Sequence, residues 1–236
     1  MPPFMKTLIQ ISDCHIDDTP IVMGINTQQN LSLIIDDILG REIDGLLITG
    51  DLAHNGTLGS YRFISKQLIK LDADIVVLPG NHDDTDNLIT EFENNLVREL
   101  RFGDWGVVSA YSKQNNQISG LLSDEELQII DDTLRLSKAK YNIVIIHHPP
   151  VPMCSEWDDS LSLQNMDDFM EVVDRNKNIK AILWGHAHQS SEFEHNNIKL
   201  ISCPSTALQF NDDKGVGFNQ YSLHNNGKFE YRTRWL

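Results

Sequence analysis

The chain has 236 residues, 40% of them hydrophobic, enough for one large domain or two small ones with a full core. Acidic residues outnumber basic ones 34 to 19, giving a formal net charge of −15, and the lysines and arginines never cluster; a nucleic-acid groove needs a basic stripe and is therefore not expected. The opening MPPFMKTLIQ does not resemble a signal peptide and no apolar run approaches the ~20 residues that span a bilayer, so the expectation is a soluble, cytoplasmic protein with no membrane partner.

Strand-like and helix-like segments alternate along the chain. Residues 6–12 (KTLIQIS) form a short apolar run that ends in Asp13-Cys14-His15. Residues 30–39 carry Leu31, Ile34, Ile35 and Ile38 at helical spacing. The run 45–50 (GLLITG) reads as a buried strand followed by Asp51, 60–71 reads as a helix, and 74–80 (DIVVLPG) as a strand ending in Asn81-His82-Asp83. A further strand is expected at 105–112. Ser123 followed by acidic residues opens a helix over 123–134. The strand 141–146 ends in His147-His148, a helix covers 163–176, and 179–185 (IKAILWG) leads into His186-Ala187-His188. After residue 190 the pattern changes to short strands at 198–203, 205–210 (STALQF), 218–224 and 227–236, separated by HNN, NDDKG and NNG turns. The early βαβαβ order predicts parallel pairing with covering helices. The strands are too many for one sheet, so an α/β fold of two packed sheets flanked by helices is expected. No linker or repeat divides the chain, and residues 1–236 read as one domain. Cys14, Cys154 and Cys203 are odd in number and far apart, so they read as reduced thiols.

Five apolar runs end in residues of one chemical kind: Asp13 and His15, Asp51, Asn81 and His82, His147 and His148, His186 and His188. In an open α/β fold, sites form where the carboxyl ends of strands converge. If the chain stays extended past the strand, residues two apart share a side, which would aim His186 and His188, and likewise Asp13 and His15, at one point and turn Cys14 away. Each residue alone has a plainer reading: Asp51 as a helix cap, Asn81 as a turn residue, His147 as a satisfied core histidine. Five in series point to a metal. Mixed nitrogen and oxygen donors without thiolate suit Mn, Fe, Zn or Co. The donors exceed the needs of one ion, a carboxylate such as Asp51 can bridge two, and two ions ~3.5–4 Å apart are the arrangement that cleaves phosphate esters.

The ordered series D-x-H, GD, GNHD, HH, GHAH resembles the calcineurin-like metallophosphoesterase family. That resemblance implies a sandwich of two packed mixed β-sheets flanked by helices. It implies two divalent ions per chain, one on Asp13, His15, Asp51 and His188, the other on Asp51, Asn81, His147 and His186. It also implies that Asp51 bridges them as part of the catalytic machinery. Asn81, His82 and His186 would contact the substrate, with His82 donating to a phosphate oxygen and protonating the leaving group, and His148 would play a supporting part. The segments HHPPVPMCSEWDDSLSLQN, GHAHQ…CPSTALQF and the closing GKFEYRTRWL are similar to the bacterial class III 3′,5′-cyclic-AMP phosphodiesterases, with residues 84–120 matching least. The implied activity is hydrolysis of 3′,5′-cyclic AMP to 5′-AMP by a metal-bridging hydroxide. A broad phosphodiesterase for glycerophosphodiesters or other small diesters would share the same site, and a scaffold of the same fold would have lost its ligands. The partner implied is a small phosphodiester, a cyclic nucleotide first, with no nucleic acid; a homodimer is compatible with it. Trp157 and Phe210 are candidates for contact with a base, although core packing is the plainer expectation for both.

Overall fold

The computed structural model describes residues 5–210 and 215–236. In chain order it comprises β1 (Met5–Ile11), a small hairpin of β2 (Ile21–Val22) and β3 (Ile25–Asn26), α1 (Thr27–Leu39), β4 (Gly45–Thr49), α2 (Leu58–Leu68), β5 (Asp74–Leu78) and α3 (Thr85–Phe92). There follow β6 (Glu99–Phe102), β7 (Trp105–Ala110), α4 (Asp124–Leu136), β8 (Tyr141–Ile146), α5 (Glu156–Leu161), α6 (Met166–Arg175) and β9 (Ile179–Trp184). The chain closes with β10 (Glu192–His195), β11 (Ile198–Ser202), β12 (Gly217–His224) and β13 (Phe229–Trp235). Helix starts follow side-chain caps: Asn26, Thr57, Asp84 and Ser123 each accept a bond from the backbone N–H three residues on. No described helix is long and apolar enough to cross a membrane.

The strands build two mixed sheets. Sheet one runs β13-β12-β1-β4-β5, with β1, β4 and β5 parallel; sheet two runs β10-β11-β9-β8-β7-β6, parallel from β11 through β7. Alternation divides each strand between two cores. Leu8, Leu47, Val76, Ile143, Ile145 and Leu183 point inward and pack between the sheets. Ile9, Ile11, Leu46, Ile48 and Val77 point outward against α1 and α2. Val144, Ile146, Ile182 and Trp184 cover the other outer face with α4 and α6. Strands buried on both faces are why these segments read as unbroken apolar runs. Near the site end, Gln10 of β1 donates to Thr49 Oγ1 (2.8 Å) and to the carbonyl of Trp184 (3.1 Å), tying the two sheets together in register.

The sandwich is the one expected from the strand count, with differences in detail. The segment 205–210 forms a loop, not a strand, because its polar groups bond to the site instead of to a neighbouring strand. The hairpin at 21–26, the four-residue strands β6 and β10 and the helices α3 and α5 are additional to the expected elements; all are short. Residues 45–49 and 74–78 end as strands before their glycines. Most of the expected NDDKG turn (residues 211–214) lies outside the described residues.

Candidate metal centre

The parallel strands β1, β4 and β5 of sheet one and β8 and β9 of sheet two end at the same edge of the sandwich. Each hands the chain to one of the polar groups singled out above. The extended geometry expected there is wrong. Asp13 (φ 53°), His15 (φ 46°), Asp51 (φ 50°), His186 (φ 67°) and His188 (φ 47°) are all left-handed. Asp and His are among the few non-glycine residues that adopt this region readily, and such backbone costs of order 1–3 kcal/mol per residue. The turns are held by Asp13 N–H on Gly50 O (3.1 Å), His15 N–H on Asp51 O (3.0 Å) and Gly185 N–H on His147 O (3.1 Å). The paired residues therefore converge by coiling, not by alternation. Cys14 does face away, and lies fully buried among Ile11, Leu31 and Ile34. Gly50 is left-handed as well (φ 98°), and a Cβ there would overlap the His147 ring. A Cβ on Gly80 would overlap the Asp51 carboxylate.

The structure brings all seven expected donors into one site, in two groups. In the first, His15 Nε2 and His188 Nε2 stand 3.0 Å apart, with Asp13 Oδ1 at 3.6 Å from His188 Nε2 and Asp51 Oδ2 at 3.8 Å from His15 Nε2. In the second, Asn81 Oδ1 lies 3.1 Å from His147 Nε2 and 3.0 Å from His186 Nδ1, and Asp51 Oδ1 lies 3.5 Å from His147 Nε2. One carboxylate, Asp51, thus faces both groups, one oxygen to each. Asp13, His15, Asp51, His147 and His188 are buried; Asn81 and His186 are half-buried and His82 is exposed, so the centre opens on their side.

The donor set fits divalent ions. His147 donates Nδ1–H to the carbonyl of Thr49 (2.7 Å) and His188 donates Nδ1–H to that of Leu208 (2.9 Å), which leaves both Nε2 atoms as lone pairs pointing into the centre. The His147 lone pair meets only the oxygens of Asn81 and Asp51, acceptors against an acceptor, a clash that a cation resolves. Without one, a proton takes its place. Burial opposes charging His147, but the carboxylates of Asp51 and Asp13 outweigh it and push its pKa up to about 9. Burial also opposes ionising Asp51, yet His147 and His15 outweigh it and hold its carboxyl well below the ordinary range. Burial pushes Asp13 up to about 7, lowers His188 to about 4 and His186 to about 3, and holds His15 well below its usual value. Those three imidazoles are neutral at neutral pH, the form in which an imidazole can bind a metal.

A second layer holds the first. Asp83, which has no assigned part in the sequence reading, is buried and accepts from the N–H groups of Gly80 (2.8 Å), Ala53 (3.0 Å) and Leu52 (3.2 Å) and from Tyr61 Oη (3.0 Å). It ties the Asp51 turn to the Asn81 turn. Asp13 accepts from His186 N–H (3.1 Å), and Ser205 Oγ donates to Asp13 O (2.8 Å). His82 N–H donates to Asp51 Oδ1 (2.9 Å), and its ring donates Nδ1–H to His54 O (2.9 Å), leaving Nε2 free. His54 stacks on His82 (5.1 Å, 19°) and sets Nδ1 3.4 Å from His15 Nδ1. The only sequence signal for it is its position three residues after Asp51. His148 spends both ring nitrogens, one on Ser112 Oγ (2.8 Å) and one on Ile118 O (2.9 Å), and has no lone pair left for an ion.

The surroundings differ on the two sides. Beside His82 lies a polar cleft of 620 Å³ lined by Asn55, Asp84, Lys113 and Asn115 among others. Beside His188 stands Phe210, with Trp157 against it; they are 43% and 58% exposed and not in the core, Phe210 on the loop after β11 and Trp157 on the short helix α5.

The sequence matches the family model described as Calcineurin-like phosphoesterase over residues 6–190. It is 46% identical over 230 residues to a "Probable cyclic nucleotide phosphodiesterase" of Vesicomyosocius okutanii subsp. Calyptogena okutanii, covering 98% of this chain and 99% of that protein. It is 28% identical to the 3′,5′-cyclic adenosine monophosphate phosphodiesterase CpdA of Pseudomonas aeruginosa, covering 94% of this chain and 87% of that one. Among solved structures, a dimetal phosphatase from Danio rerio superposes with a TM-score of 0.74 at 14% identity, over 98% of this chain and 96% of the other, a likeness of fold.

Proposed function

Because this chain belongs to the calcineurin-like phosphoesterase family, we propose that it is a metal-dependent cyclic nucleotide phosphodiesterase that converts 3′,5′-cyclic AMP to 5′-AMP. The relatives of like length and like name support the reaction class. The observation that carries the two-ion reading is the Asp51 carboxylate, with one oxygen toward His15 and the other toward His147. In this reading Asp13, His15, Asp51 and His188 hold one divalent ion, and Asp51, Asn81, His147 and His186 hold the second; Fe, Mn, Zn and Co suit these donors. Bound there, the ions supply Lewis-acid polarisation of the phosphate and an acidified water.

The protein's own groups do the rest. Thr49, Leu208 and Asp83 orient ligands and turns through fixed hydrogen bonds, so little rearrangement accompanies the reaction. Asn81, His82 and His186 line the open side and receive the phosphate. His82 keeps Nδ1–H on the His54 carbonyl, so it presents Nε2 to the substrate. A proton carried there passes to O3′ as the ring of the cyclic phosphate opens. A hydrolysis panel with added Mn²⁺ tests the reading, comparing cyclic AMP, cyclic GMP, 2′,3′-cyclic AMP and bis-p-nitrophenyl phosphate. Turnover should be best on 3′,5′-cyclic AMP. Turnover of bis-p-nitrophenyl phosphate with none of the cyclic nucleotides would overturn the substrate assignment while leaving the metal centre standing.

A further inference from the structure

Two large aromatic side chains stand in solvent where the fold does not require them. Trp157 comes from the short helix α5 and Phe210 from the loop after β11, some fifty residues apart in sequence, and their rings meet edge to face (5.4 Å, 89°). Phe210 also lies flat on the ring of His188 (4.2 Å, 7°). His188 in turn presents Nε2 to the metal centre, so the aromatic pair begins one ring thickness behind a ligand. Exposed aromatic surface is unfavourable in water unless something covers it. The opposite flank of the centre is the polar cleft with Asn55, Asp84 and Lys113, whose one ring among the lining residues is the polar imidazole of His82. Each side of the phosphate position therefore suits a different chemistry, and only one suits a flat apolar ring.

We infer that Trp157 and Phe210 form the subsite that takes the purine base of the substrate, by stacking on one ring with its edge toward the other. The inference rests on the proposed nucleotide substrate and adds the element that separates it from base-less diesters. In a 3′,5′-cyclic nucleotide the phosphate is fused to the ribose, so the base cannot lie far from the ions. The pair behind His188 lies within that reach. Stacking also tolerates any base, so the subsite selects nucleotides over glycerol diesters more strongly than adenine over guanine.

The test uses Mn²⁺-loaded protein and two ligands, 5′-AMP and inorganic phosphate, as inhibitors of bis-p-nitrophenyl phosphate hydrolysis. Trp157→Ala and Phe210→Ala should each raise the inhibition constant of 5′-AMP by about 5- to 150-fold, the span of a lost base–aromatic stack, and leave that of phosphate unchanged. Trp157→Phe should restore 5′-AMP binding. In a second readout, 5′-AMP should quench tryptophan fluorescence in the wild-type protein, and ribose 5-phosphate should not. The quench should disappear in Trp157→Phe, since Trp105 and Trp184 are buried and the half-buried Trp235 lies at the end of β13, the edge strand of sheet one. Equal rises for 5′-AMP and phosphate would overturn the inference and leave the rings with the single task of bracing His188. So would 5′-AMP binding no tighter than ribose 5-phosphate. If no cyclic nucleotide is hydrolysed yet 5′-AMP still quenches Trp157, the proposed reaction falls and the base subsite stands.

Discussion

Removing the ions with a chelator and titrating the stripped protein tests the electrostatics of the centre at His147. Its folded pKa is about 9 against an ordinary 6.5, because Asp51 and Asp13 outweigh the cost of burial. A group raised on folding contributes stability in full below its unfolded pKa and loses it as pH rises through the folded one. At about 1.4 kcal/mol per tenfold in proton affinity, this rise is worth about 3 kcal/mol. Between pH 7.5 and 9.5, where the histidines lowered by burial are neutral folded or unfolded, about 2 kcal/mol of this is lost; each kcal/mol moves Tm by ~2–4 °C for a chain of this size, so the stripped protein should melt about 4–8 °C lower near pH 9.5 than near pH 7.5. Asp13, raised to about 7 by burial, adds in the same direction, since ionising it in place is unfavourable. Asp51, held low, is ionised throughout and contributes no slope in this window. With Mn²⁺ bound, the ions take the proton's place and the slope should flatten. Calorimetric metal binding near pH 7.5, in two buffers of different ionisation enthalpy, should then show release of about one proton from His147. A stripped-protein Tm that is flat or rising across the window would refute the reasoning, because His147 would then be neutral in the folded state.

Asp51→Asn should lower phosphodiesterase turnover at least ~100-fold and reduce metal content by elemental analysis, since one group serves both donor sets; retention of both ions with near-normal turnover would sink the bridging role. His82→Ala should keep both ions and cut turnover of cyclic AMP by roughly 10²–10⁴, with a smaller loss on bis-p-nitrophenyl phosphate, whose nitrophenolate leaves without a proton. Equal losses on the two substrates would leave His82 no proton-donor part. A thiol reagent should label Cys154 alone in the native protein, because Cys14 and Cys203 are buried and burial pushes the Cys14 thiol up to about 12 and that of Cys203 well above its ordinary value. Mass spectrometry of the labelled chain checks this, and Cys14 modification without unfolding would contradict the packing described.

The sandwich was legible because its strands are buried on both faces and so read as apolar runs such as YNIVII and AILW. The donors were legible because each follows such a run directly. What failed was the backbone between donors. Left-handed Asp13, His15, His186 and His188 leave no mark in a pattern of two, since alternation and coiling both bring residues i and i+2 together. The STALQF segment misled for a related reason: its β-branched and apolar residues suit a strand, but Ser205 and the Leu208 carbonyl are committed to Asp13 and His188. Asp83 was hidden because three of its four partners are backbone N–H groups, which every residue but proline carries. The exposure of Trp157 and Phe210 depends on which loops pass over the edge, and composition is silent on that.

The donors are divided between layers. Asp13, His15, Asp51 and Asn81 ride on sheet one, and His147, His186 and His188 on sheet two, so each proposed ion would be a rivet through the seam of the sandwich. The distance between the two ions is then set by how the sheets sit on each other. Leu47, Val76, Ile145 and Leu183, packed between the sheets, act as shims that gauge the opening. Repacking that seam would detune the centre without altering a single ligand, and loading it with metal would add a clamp to a joint already pinned by the bonds of Gln10 to Trp184 and of His147 to Thr49.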